Sequence, residues 1–266
     1  MIFDDQLVKP SIGFGVYNRK KRKNMQEILL QAQKVGFKLF DTANAYGTSE
    51  IIIGRIINRS SFIITKISNV QQRSGDIKTA FKGSLQRTKS IDLYMIHWPV
   101  KGYYQETWKQ MERLKDTGQV KYLGVSNFRI VHLNTLMSTS RILPFVNEIE
   151  CHPLNTQKEQ IEYNRKNGIK IITHTPLGRM NKLILNNKTL QELSDKYKKT
   201  IAQIVLRWHI QQDRIPIPHT SNVSRVAGYM DVFDFCMTPK ELESIDGINQ
   251  DKWLGFVPSK SIYWRI

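Results

Sequence analysis

Long apolar runs are missing from these 266 residues. No stretch approaches the roughly 20 apolar residues needed to cross a bilayer. Met1 to Pro10 carries Asp4 and Asp5 and no apolar core of a leader peptide, so neither membrane insertion nor secretion is expected. Cysteine is equally scarce: Cys151 and Cys236 stand in unrelated surroundings, which supplies neither a disulfide framework nor a zinc-binding spacing and fits a reducing cytoplasm. Although the chain has six histidines, it lacks His-x-His pairs, a His-Glu-x-x-His run and any Cys-His cluster, and no catalytic metal is expected. There is also no low-complexity linker or shift in composition, so residues 1–266 read as one domain.

Acidic residues are in short supply. Lys and Arg total 40 against 23 Asp and Glu, a formal net charge of +17. A charge of this size attracts nucleic acid, anionic membranes or phosphorylated ligands. The lysines are scattered (Lys20, Lys38, Lys89, Lys121, Lys170, Lys198), and the one dense cluster, Arg19 to Lys23, runs straight into a helix-like segment. No aromatic-basic stripe accompanies the charge. It therefore reads as a generally basic surface that draws in anionic small molecules, and a nucleic-acid interface is not expected.

What is present is alternation. Short β-branched runs follow one another at Ile12 to Tyr17, Phe37 to Thr42, Phe62 to Ile67, Ile91 to His97, Val120 to Ser126, Phe145 to Cys151, Ile169 to Thr175 and Arg214 to Pro218. Between them lie amphipathic stretches, among them Met25 to Val35, Ser49 to Asn58, Asp76 to Thr88, Gln105 to Asp116 and Gln157 to Asn167. Gly36, Gly118 and Gly168 each follow a last helical turn, as a helix C-terminus favours. A long stretch from Thr189 to Gln211 is expected to break near Thr200, and Pro239 to Ile248 reads as an extra C-terminal helix. Parallel strands joined by helices form either an open doubly wound sheet or a closed barrel. No G-x-G-x-x-G follows the first strand, and the length matches the roughly 250 residues of a (β/α)8 barrel, so an α/β TIM barrel is expected.

In such a barrel, chemistry gathers at the C-terminal ends of the strands. Asp41 ends the second strand with Tyr46 just beyond, Lys66 ends the third and His97 the fourth. Further round come Ser126 and Asn127, Glu148 and His152, His174, and His219 to Ser221. Taken singly, Lys66 reads as a surface lysine, His97 as a structural histidine and Tyr46 as an interior aromatic. Placed on successive strand ends of apolar composition, they are expected to face one another across the barrel mouth, because ionisable groups buried there need partners.

The segments Gly13-Phe14-Gly15-Val16-Tyr17, Phe40-Asp41-Thr42-Ala43-Asn44-Ala45-Tyr46-Gly47, Thr65-Lys66, Ile96-His97-Trp98-Pro99, Gly124-Val125-Ser126-Asn127-Phe128 and Asn147-Glu148-Ile149-Glu150-Cys151-His152-Pro153 resemble those of the aldo-keto reductases. Thr175-Pro176-Leu177-Gly178, Pro216 to Asn222 and Val232-Phe233-Asp234 carry the resemblance along nearly the whole chain. It is similar to the compact microbial members, such as 2,5-diketo-gluconate reductases. The resemblance implies reduction of aldehydes or ketones by a nicotinamide cofactor, with Tyr46 as general acid, Lys66 held by Asp41 to lower the phenol's pKa, and His97 orienting the carbonyl. A phenol of ordinary pKa about 10 needs such help at neutral pH.

The same resemblance puts Ser126, Asn127 and Glu148 at the carboxamide, His174 beneath the nicotinamide, Leu177 and Ser221 near the diphosphate and ribose, and Arg225 near the adenosine end. Gly15, Val16, Asp41, Thr175, His219, Thr220, Asn222 and Tyr229 complete the cofactor-facing set. An arginine suits a 2′-phosphate, so NADPH is the preferred cofactor and NADH a possible one. Tyr17, Trp98 and Trp253 are expected to wall the substrate pocket. With the chain ending at Ile266, the specificity loop reads as short and the pocket as open to small carbonyl compounds. A monomer is the family-like default. Four positions depart from the family's commonest residues: Glu148 for glutamine, His174 for tyrosine, His219 for lysine and Tyr229 for asparagine or glutamine. Two other classes of function compete with the enzyme: a catalytically weak cofactor-binding or regulatory barrel, and a basic nucleic-acid-binding protein.

Overall fold

The computed structural model describes residues 12–17 and 24–255. The readings made at Met1 to Pro10, at the Arg19 to Lys23 cluster and at the chain's end near Ile266 lie outside them. The chain alternates strands and helices in the order β1 (Phe14–Gly15), α1 (Met25–Lys34), β2 (Leu39–Asp41), α2 (Ser49–Ile56), β3 (Phe62–Ile67), α3 (Asn69–Ser74), α4 (Ile77–Thr88), β4 (Leu93–Ile96), α5 (Tyr104–Asp116), β5 (Tyr122–Ser126) and α6 (Ile130–Met137). It continues through β6 (Val146–Glu150), α7 (Lys158–Lys166), β7 (Lys170–His174), α8 (Lys182–Leu185), α9 (Lys188–Tyr197), α10 (Ile201–Gln211), β8 (Arg214–Pro216), α11 (Ser224–Met230) and α12 (Pro239–Asp246).

All eight strands pair in parallel in chain order. The ladder then closes: Gly13 N–H donates to the Pro216 carbonyl at 3.0 Å and Gly15 N–H to the Pro218 carbonyl at 2.9 Å, joining the last strand to the first. Closure leaves no sheet edge unpaired. Inside the barrel, Leu39, Ile64, Leu93, Met95, Val146, Ile172 and Ile215 pack into one core. Gly124 is part of that packing, since a Cβ there would stand 2.7 Å from Val146 Cγ2. The outward faces of the strands bury a second apolar layer beneath the helices, with Ile28, Leu29, Trp108, Met111, Leu206 and Trp208 all inaccessible.

The helix ends are chemically marked. Thr200 breaks the long helical stretch where expected, capping α10 through the Gln203 amide, and Thr238 caps α12 through Glu241 with Pro239 in the first turn. Gly36, Gly118 and Gly168 adopt φ of 102°, 71° and 70°, a left-handed conformation that costs a glycine little.

The strands are shorter than their apolar runs. β1 is Phe14–Gly15 where Ile12 to Tyr17 was expected, β2 is Leu39–Asp41 within Phe37 to Thr42, and β4 is Leu93–Ile96 within Ile91 to His97. Hydrophobic pattern reports burial, which extends past the last ladder bond into the loops at the mouth. β8 stops at Pro216 because Pro216 and Pro218 have no N–H to donate.

Candidate active site

Strand alternation turns Asp41, Lys66 and Glu148 into the barrel, near its C-terminal mouth. The Lys66 ammonium is fully buried and lies 2.6 Å and 2.5 Å from the two oxygens of Asp41. It also donates to the Thr42 carbonyl at 3.0 Å. From the opposite side, Glu148 Oε2 approaches the same nitrogen to 3.0 Å, an ion pair without hydrogen-bond alignment. Burial opposes the charge on Lys66, and the two carboxyls overcome it, holding the ammonium above its ordinary range. One cation cannot neutralise two carboxylates. Burial and the Asp41 charge, against the pull of Lys66, push Glu148 up to about 8, and the two carboxyls hydrogen-bond to each other. Burial raises Asp41 as well, so the pair retains a proton at neutral pH.

Tyr46 lies beyond β2 in a turn fixed by its N–H on the Ala43 carbonyl (3.0 Å) and by Ser49 Oγ on its own carbonyl (2.7 Å). Its hydroxyl and His97 Nε2 share a hydrogen bond of 3.2 Å. The Lys66 ammonium stands 5.8 Å from the centre of the Tyr46 ring. Lys66 acts on this phenol in the expected direction, but the net result differs. The cation pulls it down, but burial first, and then Glu148 and Asp41, outweigh that pull and hold it above its ordinary range. His97 is kept neutral, well below the usual imidazole range, by burial and then by Lys66.

A second network joins β5 to β7. Asn127 Nδ2 donates to the His97 carbonyl at 3.1 Å, which leaves Asn127 Oδ1 as the acceptor for His174 Nε2 at 3.0 Å. His174 Nδ1 then accepts from Thr175 Oγ1 at 3.2 Å. Burial, against the charge of Glu150, lowers the imidazole's pKa to about 4, so His174 is neutral. Asn127 and Thr175 have φ of 63° and 54°. For a β-branched threonine this left-handed backbone costs on the order of 1–3 kcal/mol, a strain found most often at functional sites.

At the β8 and β1 end, His219 Nδ1 donates to the Gly15 carbonyl at 3.0 Å, and Val16 N–H binds the Asp41 carbonyl at 2.7 Å. Thr220 is buried and its hydroxyl accepts from the Asn222 N–H at 3.0 Å, while Ser221, Asn222 and Arg225 are exposed. Leu177, in the segment after β7, is buried. The donor set suits a nicotinamide dinucleotide. Asn127, Ser126 and a Glu148 oxygen without an aligned hydrogen bond offer amide-matching groups at one end, and the Ser221 to Arg225 segment offers hydroxyl, amide and guanidinium groups at the other.

Of the expected pocket walls, Tyr17 is 37% exposed and sets its ring edge-on to Tyr46, centroids 4.9 Å apart. Trp98 is half-buried with its ring 6.4 Å from that of His97. Trp253 is half-buried in a small cleft with Asn127, Phe128 and Glu150. Two contributors went unread in the sequence. The Thr42 carbonyl carries no side-chain signal. Glu150 binds the backbone N–H groups of Leu254 (2.6 Å) and Gly255 (2.9 Å), and only the glycine hinted at that close approach.

Among the described residues no group of three or more His, Cys, Asp or Glu is arranged to hold a metal, and no helix is long and apolar enough to cross a membrane. A closed (β/α)8 barrel with a buried Asp-Lys pair beside a hydrogen-bonded Tyr and His at its mouth is the framework of a barrel oxidoreductase. The Aldo/keto reductase family profile matches residues 11–250, and the chain belongs to that family. It is 34% identical to the glyoxal reductase of Bacillus subtilis over 261 residues, covering 96% of this chain and 94% of that one. It is 36% identical to a methylglyoxal reductase of Escherichia coli over 265 residues, covering 96% and 95%. A crystal structure of a Gox0644 mutant in complex with NADPH superposes with a TM-score of 0.88 at 33% identity, covering 94% of each chain.

Proposed function

We propose that this protein reduces small aldehydes, ketones and dicarbonyl compounds to alcohols, taking hydride from NADPH and the proton from Tyr46. The observation that carries the reading is the Tyr46 hydroxyl bonded to His97 at the mouth of a barrel, with the buried Asp41–Lys66 pair beneath it. When bound, the dinucleotide supplies the hydride, and the chain supplies position and the proton. Tyr46 holds the proton that passes to the carbonyl oxygen. Neutral His97 has one N–H to offer that oxygen, which orients it as charge develops. Lys66 is the cation that moderates the cost of the phenolate left behind.

Asn127, Ser126 and Glu148 are the groups for the carboxamide, with His174 against the ring. His219, Thr220, Ser221, Asn222 and Arg225 are the groups for the phosphates and adenosine, and Tyr229 flanks the adenine. Arg225, in a chain of net charge +17, favours NADPH over NADH. The relatives named for glyoxal and methylglyoxal support small dicarbonyls as the substrate class, with Tyr17, Trp98 and Trp253 as walls. A cytoplasmic monomer is part of the same reading.

The test is oxidation of NADPH, and separately NADH, followed by absorbance with a panel of aldehydes, dicarbonyls and keto acids, alongside Tyr46→Phe. Turnover confined to the wild type is the expected result. Cofactor binding without turnover on any carbonyl overturns the reading in favour of a binding protein.

A further inference from the structure

Glu148 reads from the sequence as a contact for the cofactor. The structure also places it inside the acid system, 2% exposed, with Oε2 3.0 Å from the Lys66 ammonium that Asp41 already grips with both oxygens. We propose that Glu148 is a proton-holding positioning residue whose ionisation decides how strongly Lys66 acts on the Tyr46 phenol. The inference rests on Tyr46 being the acid.

Net charge around Lys66 decides the effect. With its proton, Glu148 is neutral and hydrogen-bonds to Asp41, and the charges of Asp41 and Lys66 cancel. Without it, two carboxylates face one ammonium, leaving one net negative charge beside a phenol that must itself become anionic as it gives up its proton. A like charge nearby disfavours that form, so Tyr46 becomes a weaker acid. The other groups around Glu148 do not offset this. β5 contributes uncharged Ser126 and Asn127, β4 leads into neutral His97, and β7 ends at neutral His174. From β2 and its loop come Asp41 and Tyr46, and from β3 comes Lys66, the cation in contact with the carboxyl. Burial first, then Asp41, raises the Glu148 carboxyl to about 8, so the change falls in mildly alkaline solution. The sign follows: carbonyl reduction is fastest while Glu148 holds its proton and declines as the pH rises past that point.

The experiment compares the wild type, Glu148→Gln and Tyr46→Phe. Infrared difference titration of the cofactor-free protein reads the proton directly. A protonated-carboxyl band that disappears near pH 8 in the wild type and is absent from Glu148→Gln is the expected result. The pH profile of kcat, on the carbonyl the wild type reduces fastest, reads the consequence. The amide variant keeps turning over in alkaline solution, with its decline moved up by about one pH unit or more. Superimposable profiles, or a carboxyl band that survives Glu148→Gln, overturn the proposal. Persistent turnover in Tyr46→Phe instead sinks Tyr46 as the acid, so the two failures are distinct. The Gln side chain is nearly isosteric, and matching circular dichroism spectra confirm that it folds.

Discussion

Gly255 N–H stands 2.9 Å from Glu150 Oε2, and a Cβ at Gly255 would come within 2.3 Å of that oxygen. The carboxylate also takes the Leu254 N–H at 2.6 Å and shares a 3.2 Å contact with His152 Nε2. Burial works against its charge, and these bonds, that of His152 foremost, hold it below the ordinary carboxylate range. It is therefore a clasp that ties the Trp253 segment to the end of β6. Gly255→Ala forces the segment away, and Glu150→Gln removes the charge that grips it. Either change costs about 1–3 kcal/mol locally, so the Leu254 amide should exchange with deuterium about tenfold faster or more. Exchange at the wild-type rate in both variants would show that the clasp holds nothing. Since this carboxyl's pKa is lowered by folding, its contribution is present above the ordinary carboxylate range and fades as the solution is acidified.

Lys66 is buried against two carboxyls, and removing it should be felt in two measurements. Lys66→Met leaves the pair without its cation and should lower stability by about 3–5 kcal/mol in denaturant unfolding. It should also lower kcat by about 100- to 10,000-fold, the usual worth of assistance to a general acid. A variant as active as the wild type would remove Lys66 from the mechanism.

Glu148 also bears on the redox state of the cofactor it is proposed to touch. A carboxylate beside a nicotinamide favours the cationic, oxidised ring. With the group's pKa raised to about 8, that preference should emerge only in alkaline solution. The ratio of NADP⁺ to NADPH affinity, measured by fluorescence titration, should rise with pH in the wild type and stay flat in Glu148→Gln. A flat ratio in both would sink the idea. Folding raises this carboxyl's pKa, so its stabilising share is complete in acid, below the unfolded carboxylate range, and is lost as pH climbs to about 8. Glu148→Gln should therefore flatten the decline of the unfolding temperature between the ordinary carboxylate range and about pH 8.

His219 commits Nδ1 to the Gly15 carbonyl at 3.0 Å, so it gains a positive charge only when Nε2 takes a proton. Preference for NADPH over NADH should strengthen in acid and weaken in base, whereas His219→Lys should make it larger and nearly independent of pH. A strong, pH-independent preference in the wild type would count against His219 as a phosphate contact.

Much of the fold could be read along the chain because its signals are local. The caps at Thr200 and Thr238 and the left-handed glycines at Gly36, Gly118 and Gly168 follow from backbone chemistry within a few residues. The ladder bounds of β1, β2 and β4 could not be read, because an apolar run continues wherever the chain stays buried, paired or not. At the candidate site, the positions of Asp41, Tyr46, Lys66 and His97 followed from strand-end counting. The two carboxyls on one ammonium did not, since Asp41 and Glu148 are separated by four strands' worth of chain and meet only because the sheet closes. At Tyr46 the pull of the cation was legible, and the burial that outweighs it, with the smaller opposing charges of Glu148 and Asp41, was not.

The sequence by itself determined the order of strands and helices, the barrel and the residue types at each strand end, because periodicity, caps and composition act over short distances. The tertiary structure alone decided which of those residues share a proton, which histidines stay neutral and which segment Glu150 holds. Those are matters of distance and dielectric across the barrel, and closure through Gly13 and Gly15 onto Pro216 and Pro218 sets both.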